Sequence, residues 1–220
     1  MKTPTSITLY HGTSSKRLAE ILRDGILPRS ETRPGNFKGV IESRKGFVYL
    51  SDAFPIFYAS NAASTDQSDN MLVLQVSVPV RSLYPDEDFI GQVLHQEAIR
   101  RGESPELLEV TEGVSLMLYK HAAKASLDHM GSVAVRKVKP EQIIGYRELP
   151  SKDTFAWARL GGDQSVNIWA RRLVGSMFKT RLDLWFEQGL MDALLYDPFK
   201  ASLPDWPLIE AVIRKDYQGK

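Results

Sequence analysis

Cysteine is absent from the 220-residue chain. That excludes a thiolate nucleophile, a disulfide framework and a cysteine-ligated zinc site. No apolar run is long enough to span a bilayer. The first residues, Met1 to Ser6, lack the basic start and apolar stretch of a signal peptide. The expectation is a soluble, cytoplasmic protein. No His-Glu-x-x-His helix, phosphate-loop glycine pattern or Gly-x-Ser-x-Gly elbow occurs, so no metal is expected. Internal repeats, low-complexity tracts and obvious flexible linkers are missing as well.

Hydrophobic residues make up 43% of the chain, enough for a real core. The formal net charge is only +1, which argues against a general nucleic-acid coat protein. The charge is unevenly spread. Residues 1–50 hold nine Lys or Arg and four acids. Residues 51–150 are net negative, with clusters at Asp86-Glu87-Asp88 and from Glu103 to Glu112. The N-terminal cations are either solvated surface or a face for phosphates, of a dinucleotide or of a nucleic acid.

Ile7 to Tyr10 reads as a short apolar strand that leads through His11-Gly12-Thr13 into a helix. Ser14 suits the N-cap, Leu18, Ile21 and Leu22 form one face, and Gly25 suits the stop. A second strand is expected at Phe47-Val48-Tyr49-Leu50-Ser51. A turn and helix follow over 52–63, with Phe57, Tyr58 and Ala59. Met71 to Val78 reads as a strand with Leu72, Leu74 and Val76 on one face, bounded by Pro79 and Pro85. Residues 89–126 look helical. Ser132 to Val138 is again a strand, followed by Pro140-Glu141-Gln142-Ile143. Strands and helices that do not alternate regularly indicate α+β architecture. From Ser151 the character changes. All four tryptophans, Trp157, Trp169, Trp185 and Trp206, lie there, and Trp169 and Trp185 fall in apolar sets of helical spacing, Val166 to Met177 and Leu182 to Leu190. The expected division is a core over 1–150 and a helical extension over 151–220 packed on it.

The strand with His11-Gly12-Thr13, the helix ending Gly25-Ile26 and the strand Val48-Tyr49-Leu50-Ser51 together resemble the ADP-ribosyltransferase superfamily. The resemblance covers roughly residues 7–150, in short motifs. It implies a split mixed or antiparallel sheet and a cleft that binds NAD as substrate. It also implies cleavage of the nicotinamide–ribose bond, with transfer of ADP-ribose to a protein or nucleic-acid acceptor. Small proteins of this kind often act as toxins or in conflict between phage and host.

The resemblance also implies roles for residues. His11 matches the histidine that bonds a ribose hydroxyl of the adenosine half. Gly12 matches the place where bare backbone lets the carboxamide of nicotinamide approach. Thr13 would contact the substrate or cap the helix. Tyr49 and Tyr58 match the aromatic pair that sandwiches nicotinamide. Ser51 follows Tyr49 by two and shares its strand face. His11, Gly12 and Tyr49 are therefore expected to line one cleft. Arg29 is placed to hold the pyrophosphate, because a guanidinium presents paired donors to phosphate. It opens a long loop, Ser30 to Gly46, of the kind that forms lids.

One departure matters. The superfamily's third motif supplies a glutamate that stabilises a cationic sugar in the transition state. The matching stretch, His129 to Val135, carries no acid. RNA 2′-phosphotransferases of the same superfamily share that lack, but they usually carry histidine where this chain has Tyr49. Asp86, Glu87, Asp88, Glu97 and Asp128 are the candidates to replace the missing acid, Glu87 and Asp128 foremost. Two alternatives stand beside transfer. One is an N-glycosidase acting on a nucleic-acid base or on NAD without transfer. The other is a non-catalytic module that binds a nucleotide or a partner.

Overall fold

The computed structural model describes residues 5–28, 45–90, 99–102, 122–150 and 186–187. They form an α+β unit around one six-stranded antiparallel sheet. Strand β1 (Ser6–Ser14) runs through a short 3-10 turn into helix α1 (Leu18–Asp24). Then come β2 (Val48–Ser51), α2 (Pro55–Thr65), β3 (Asn70–Pro79) and β4 (Tyr84–Pro85). Helix α3 (Ala123–Met130), β5 (Ser132–Val135) and β6 (Ile143–Pro150) complete the set. The strand order is β4-β5-β2-β1-β3-β6.

β1 is longer than its apolar residues suggest. It pairs with β3 from Ser6↔Pro79 to Ser14↔Met71, so His11, Gly12 and Thr13 lie inside the strand and not after it. The polar residues stay extended because β3 supplies hydrogen bonds along the whole length. The helix start holds in modified form. The Ser14 hydroxyl accepts from the Lys16 N–H at 3.3 Å, but it caps the 3-10 turn that precedes α1. Gly25 ends α1 at φ 82°, where a side chain is strained.

β3 shows burial on both faces at its start. Met71, Leu72, Val73 and Leu74 are all at most 1% exposed. One-sided alternation therefore understates it, because helices and strands cover both sides of this central strand. The core joins Leu9, Leu50, Leu72, Leu74, Val76 and Val133 with Ile21 and Ile26 beneath them. The other face receives α2, whose Pro55 and Ala59 press on Gly12. Pro85 sits in the edge strand β4, the position where a missing N–H is tolerated.

Of the expected helical extension over 151–220, only Phe186 and Glu187 are described. The Phe186 ring lies 5.2 Å from the buried Tyr10 ring, and its carbonyl accepts from the Arg147 guanidinium at 3.2 Å. The remainder of that extension, its four tryptophans and the expected helices over 91–98 and 103–121 lie outside the described residues. Among the described residues no helix is long and apolar enough to cross a membrane.

Candidate functional site

The sheet is nearly cut in two. β1 and β2 pair only at Tyr10↔Ser51. Beyond that pair the strands part, and side chains bridge the seam. The His11 Nδ1 lies 2.9 Å from the Tyr49 carbonyl oxygen. A carbonyl only accepts, so Nδ1 carries the proton and donates. Nε2 is then the acceptor of the neutral ring. Burial pushes the His11 pKa below its ordinary value, with the nearby Arg17 charge adding to the effect against the opposing bond to Tyr49. The imidazole is thus neutral at pH 7 and presents one acceptor, suited to a hydroxyl.

Tyr10 and Ser51 are direct partners and share a face. Alternation then puts Tyr49 on that face and His11 on the opposite one. The expectation that both side chains project from one face is corrected accordingly. The strands bearing them are neighbours, and the imidazole meets Tyr49 at its main chain, through the open seam.

Tyr49 is half-buried, and its hydroxyl donates to both oxygens of Glu87, at 2.5 and 2.6 Å. Glu87 is itself buried at 9% exposure. It opens a helical turn over 87–90, whose N-cap is Asp86. One Asp86 oxygen accepts the Asp88 N–H at 3.0 Å. The other accepts the Ser132 hydroxyl at 2.5 Å. The Ser126 hydroxyl accepts the Asp86 N–H and donates to the Ser132 carbonyl, at 2.9 and 2.8 Å. A buried polar network thereby ties α3 and β5 to the turn that carries Glu87. Acids at a helix N-terminus are also favoured by its dipole.

The other expected residues fall as follows. Gly12 has a packing reason: a Cβ there would lie 1.7 Å from the Pro55 carbonyl oxygen. Only glycine lets the first turn of α2 lie this close to β1. Thr13 is buried on β1, opposite Leu72. The cap it was a candidate for falls to Ser14. Tyr58 is half-buried on α2, its ring edge-on to Phe57 at 5.3 Å.

Ser51, expected to face the substrate, is almost fully buried. Its hydroxyl donates to the Gly131 carbonyl at 2.6 Å and accepts from the Ala53 and Phe54 N–H groups at 3.1 and 2.8 Å. This is a structural staple between β2, the start of α2 and the end of α3. Asp128 is half-exposed on α3 and pairs with Lys124 one turn earlier. Asp128 thus shows an ion pair on its own helix, whereas Glu87 is the acid that meets Tyr49. Arg29 and Glu97 lie outside the described residues.

Sequence reasoning missed three features. Arg17 forms a two-point ion pair with Asp66, at 2.7 and 2.8 Å, which fixes the end of α2 beside the exit of β1. The Asp86–Ser132–Ser126 network was missed because serines far apart in sequence give no local signal. Arg136 stacks its guanidinium over Phe47 at 4.1 Å, with Tyr84 at 5.6 Å. Among the described residues no group of three or more His, Asp or Glu side chains comes together as a metal site. Compared with known proteins, the chain matches no family model and no curated sequence.

Proposed function

We propose that this chain is an ADP-ribosyltransferase-like enzyme that cleaves the nicotinamide–ribose bond of NAD and passes ADP-ribose to an acceptor. The observation that carries the reading is the seam itself. The imidazole of a neutral histidine bonds the main chain of Tyr49 across it, and on the opposite face the Tyr49 hydroxyl holds a buried carboxylate. In the step proposed, the bond between the ribose carbon and the nicotinamide nitrogen breaks. The electron pair leaves with neutral nicotinamide. The sugar becomes transiently cationic, and a nucleophile forms the new bond to the same carbon while losing its proton to water. Glu87 supplies the negative charge that the third motif lacks, delivered from a helix start and not from strand β5. His11, through Nε2, accepts from a ribose hydroxyl. Tyr49 and Tyr58 offer ring surface to the leaving base.

Incubation with NAD, followed by mass spectrometry for free nicotinamide, tests this directly. Glu87→Gln keeps the shape and removes the charge. It is expected to slow release about a hundredfold to a thousandfold, the usual effect of losing one electrostatic stabiliser. Parallel incubation with DNA and RNA reads the N-glycosidase alternative as free base. A wild-type protein that leaves NAD, DNA and RNA uncleaved would mean a binding module instead.

A further inference from the structure

β5 begins at Ser132, and both partners of the Tyr49–Glu87 bond are tied to this point. On one side, Ser51 of β2 is the direct partner of Ser132, and the Ser51 hydroxyl donates to the carbonyl of Gly131. Tyr49 lies two residues away on the same strand and the same face. On the other side, β4 pairs Tyr84 with Ala134 and Pro85 with Val133. The next residue in that register is Asp86, which falls opposite Ser132, and the Ser132 hydroxyl donates to its carboxylate at 2.5 Å. Glu87 follows Asp86 directly. The start of β5 therefore spaces the strand that carries Tyr49 from the turn that carries Glu87.

The ties to the turn are buried and directional. Ser126 is 0% exposed, Ser132 3% and Asp86 6%. The Ser126 hydroxyl takes the Asp86 N–H and gives its own proton to the Ser132 carbonyl, so main chain and side chain of Ser132 both lead to Asp86. A hydroxyl on a carboxylate makes a charge-assisted bond, short and sensitive to angle. An apolar side chain at 132 would fill the space but hold the turn by contacts that have no preferred direction. The glutamate side chain is long and has several rotatable bonds. Its two oxygens stay within 2.6 Å of one hydroxyl only while its main chain is held in place.

We infer that Ser132 is a positioning residue: through Asp86 it sets the Glu87 carboxylate on the Tyr49 hydroxyl. The catalytic consequence rests on the function proposed above; the placement of Glu87 does not.

Fluorine NMR of the full chain carrying 3-fluorotyrosine, without NAD, tests the placement. The resonance of position 49 is assigned by its loss in Tyr49→Phe, and Glu87→Ala gives its position without the carboxylate. Ser132→Ala is expected to move the resonance toward the Glu87→Ala position, and Ser132→Thr, which restores the hydroxyl, to return it. Should Ser132→Ala fail to fold, Asp86→Ser decides by the same resonance. Serine keeps an N-cap oxygen but is one bond shorter and draws away from Ser132. A resonance that stays in place in the folded variant, or that Ser132→Ala and Ser132→Thr move alike, overturns the inference. Nicotinamide release is measured separately. Ser132→Ala should lower kcat about tenfold to a hundredfold with KM unchanged, as for a displaced group that acts in the transition state. A loss confined to KM overturns the inference too. A resonance that responds as expected in a protein that leaves NAD intact sinks only the enzymatic reading. Cleavage of NAD with a resonance indifferent to Ser132 sinks only this one.

Discussion

The two halves of the sheet are held by different forces. On one side, β1 meets β3 over nine residue pairs, and β6 follows β3 along most of its length. On the other, β2 and β5 share four pairs, and β4 adds two. Backbone ladders and two-sided apolar burial secure the long half. The short half, whose Val48, Leu50, Val133 and Val135 are buried in the same core, adds directional side-chain bonds from Ser51, Ser126, Ser132 and Asp86. Of the residues in the proposed site, Tyr49 and Glu87 belong to the short half or its margin, and His11 to β1 on the long half. Side-chain bonds place a group accurately, but each one can be broken singly.

The sharpest way to break that comparison is Gly12→Ala, on the long half. Its Cβ would meet main-chain atoms of Pro55 and Ala59, which cannot rotate away. The expected cost is about 3 kcal/mol, the upper part of the range for overpacking. Urea denaturation checks it. A loss under about 1 kcal/mol would show that α2 slides easily over β1.

Ser51→Ala tests the staple between the halves. It removes one donor and leaves two N–H groups, those of Ala53 and Phe54, without their hydroxyl acceptor. The expected cost is about 1–3 kcal/mol. If the comparison is right, activity measured well below the melting point should fall as well, because Tyr49 lies two residues away on the same strand. Destabilisation with unchanged turnover would show that β2 keeps its position without the staple.

The smallest effect is a pH dependence at the seam. Folding lowers the His11 pKa below its ordinary value of 6.5. Above that value the ring is neutral both folded and unfolded, and the stability is complete. As pH falls below it, the unfolded chain takes the proton first, so stability declines until the folded pKa is passed. Urea midpoints on either side of 6.5 measure this slope, and His11→Gln should flatten it. A slope that persists in His11→Gln belongs to another group.

The long half was largely legible from the sequence. Alternation gave β3, and Ser14 and Gly25 bounded the α1 region; on the short half the strand at Tyr49-Leu50-Ser51 was legible too. These signals are local, because capping and alternation act within a few residues. β1 was read short because His11, Gly12 and Thr13 are not strand-like residues. Their extended form comes from a partner some sixty positions later. At the site, Glu87 was recognisable as a candidate only as one of several acids. The strand face that Ser51 shares with Tyr49 was readable, but the bond of its hydroxyl to the Gly131 carbonyl was not.

What the sequence by itself determined is the inventory: no thiol, a histidine and two tyrosines in order, and no acid from His129 to Val135. Composition and spacing along the chain are enough to establish these. Only the tertiary structure decided that the sheet parts after one residue pair, that His11 bonds the Tyr49 main chain across the gap, and that Glu87 and not Asp128 meets the Tyr49 hydroxyl. Those facts depend on strand order and register. Both are set by the sum of long-range packing and hydrogen bonds, and no window of adjacent residues carries that sum.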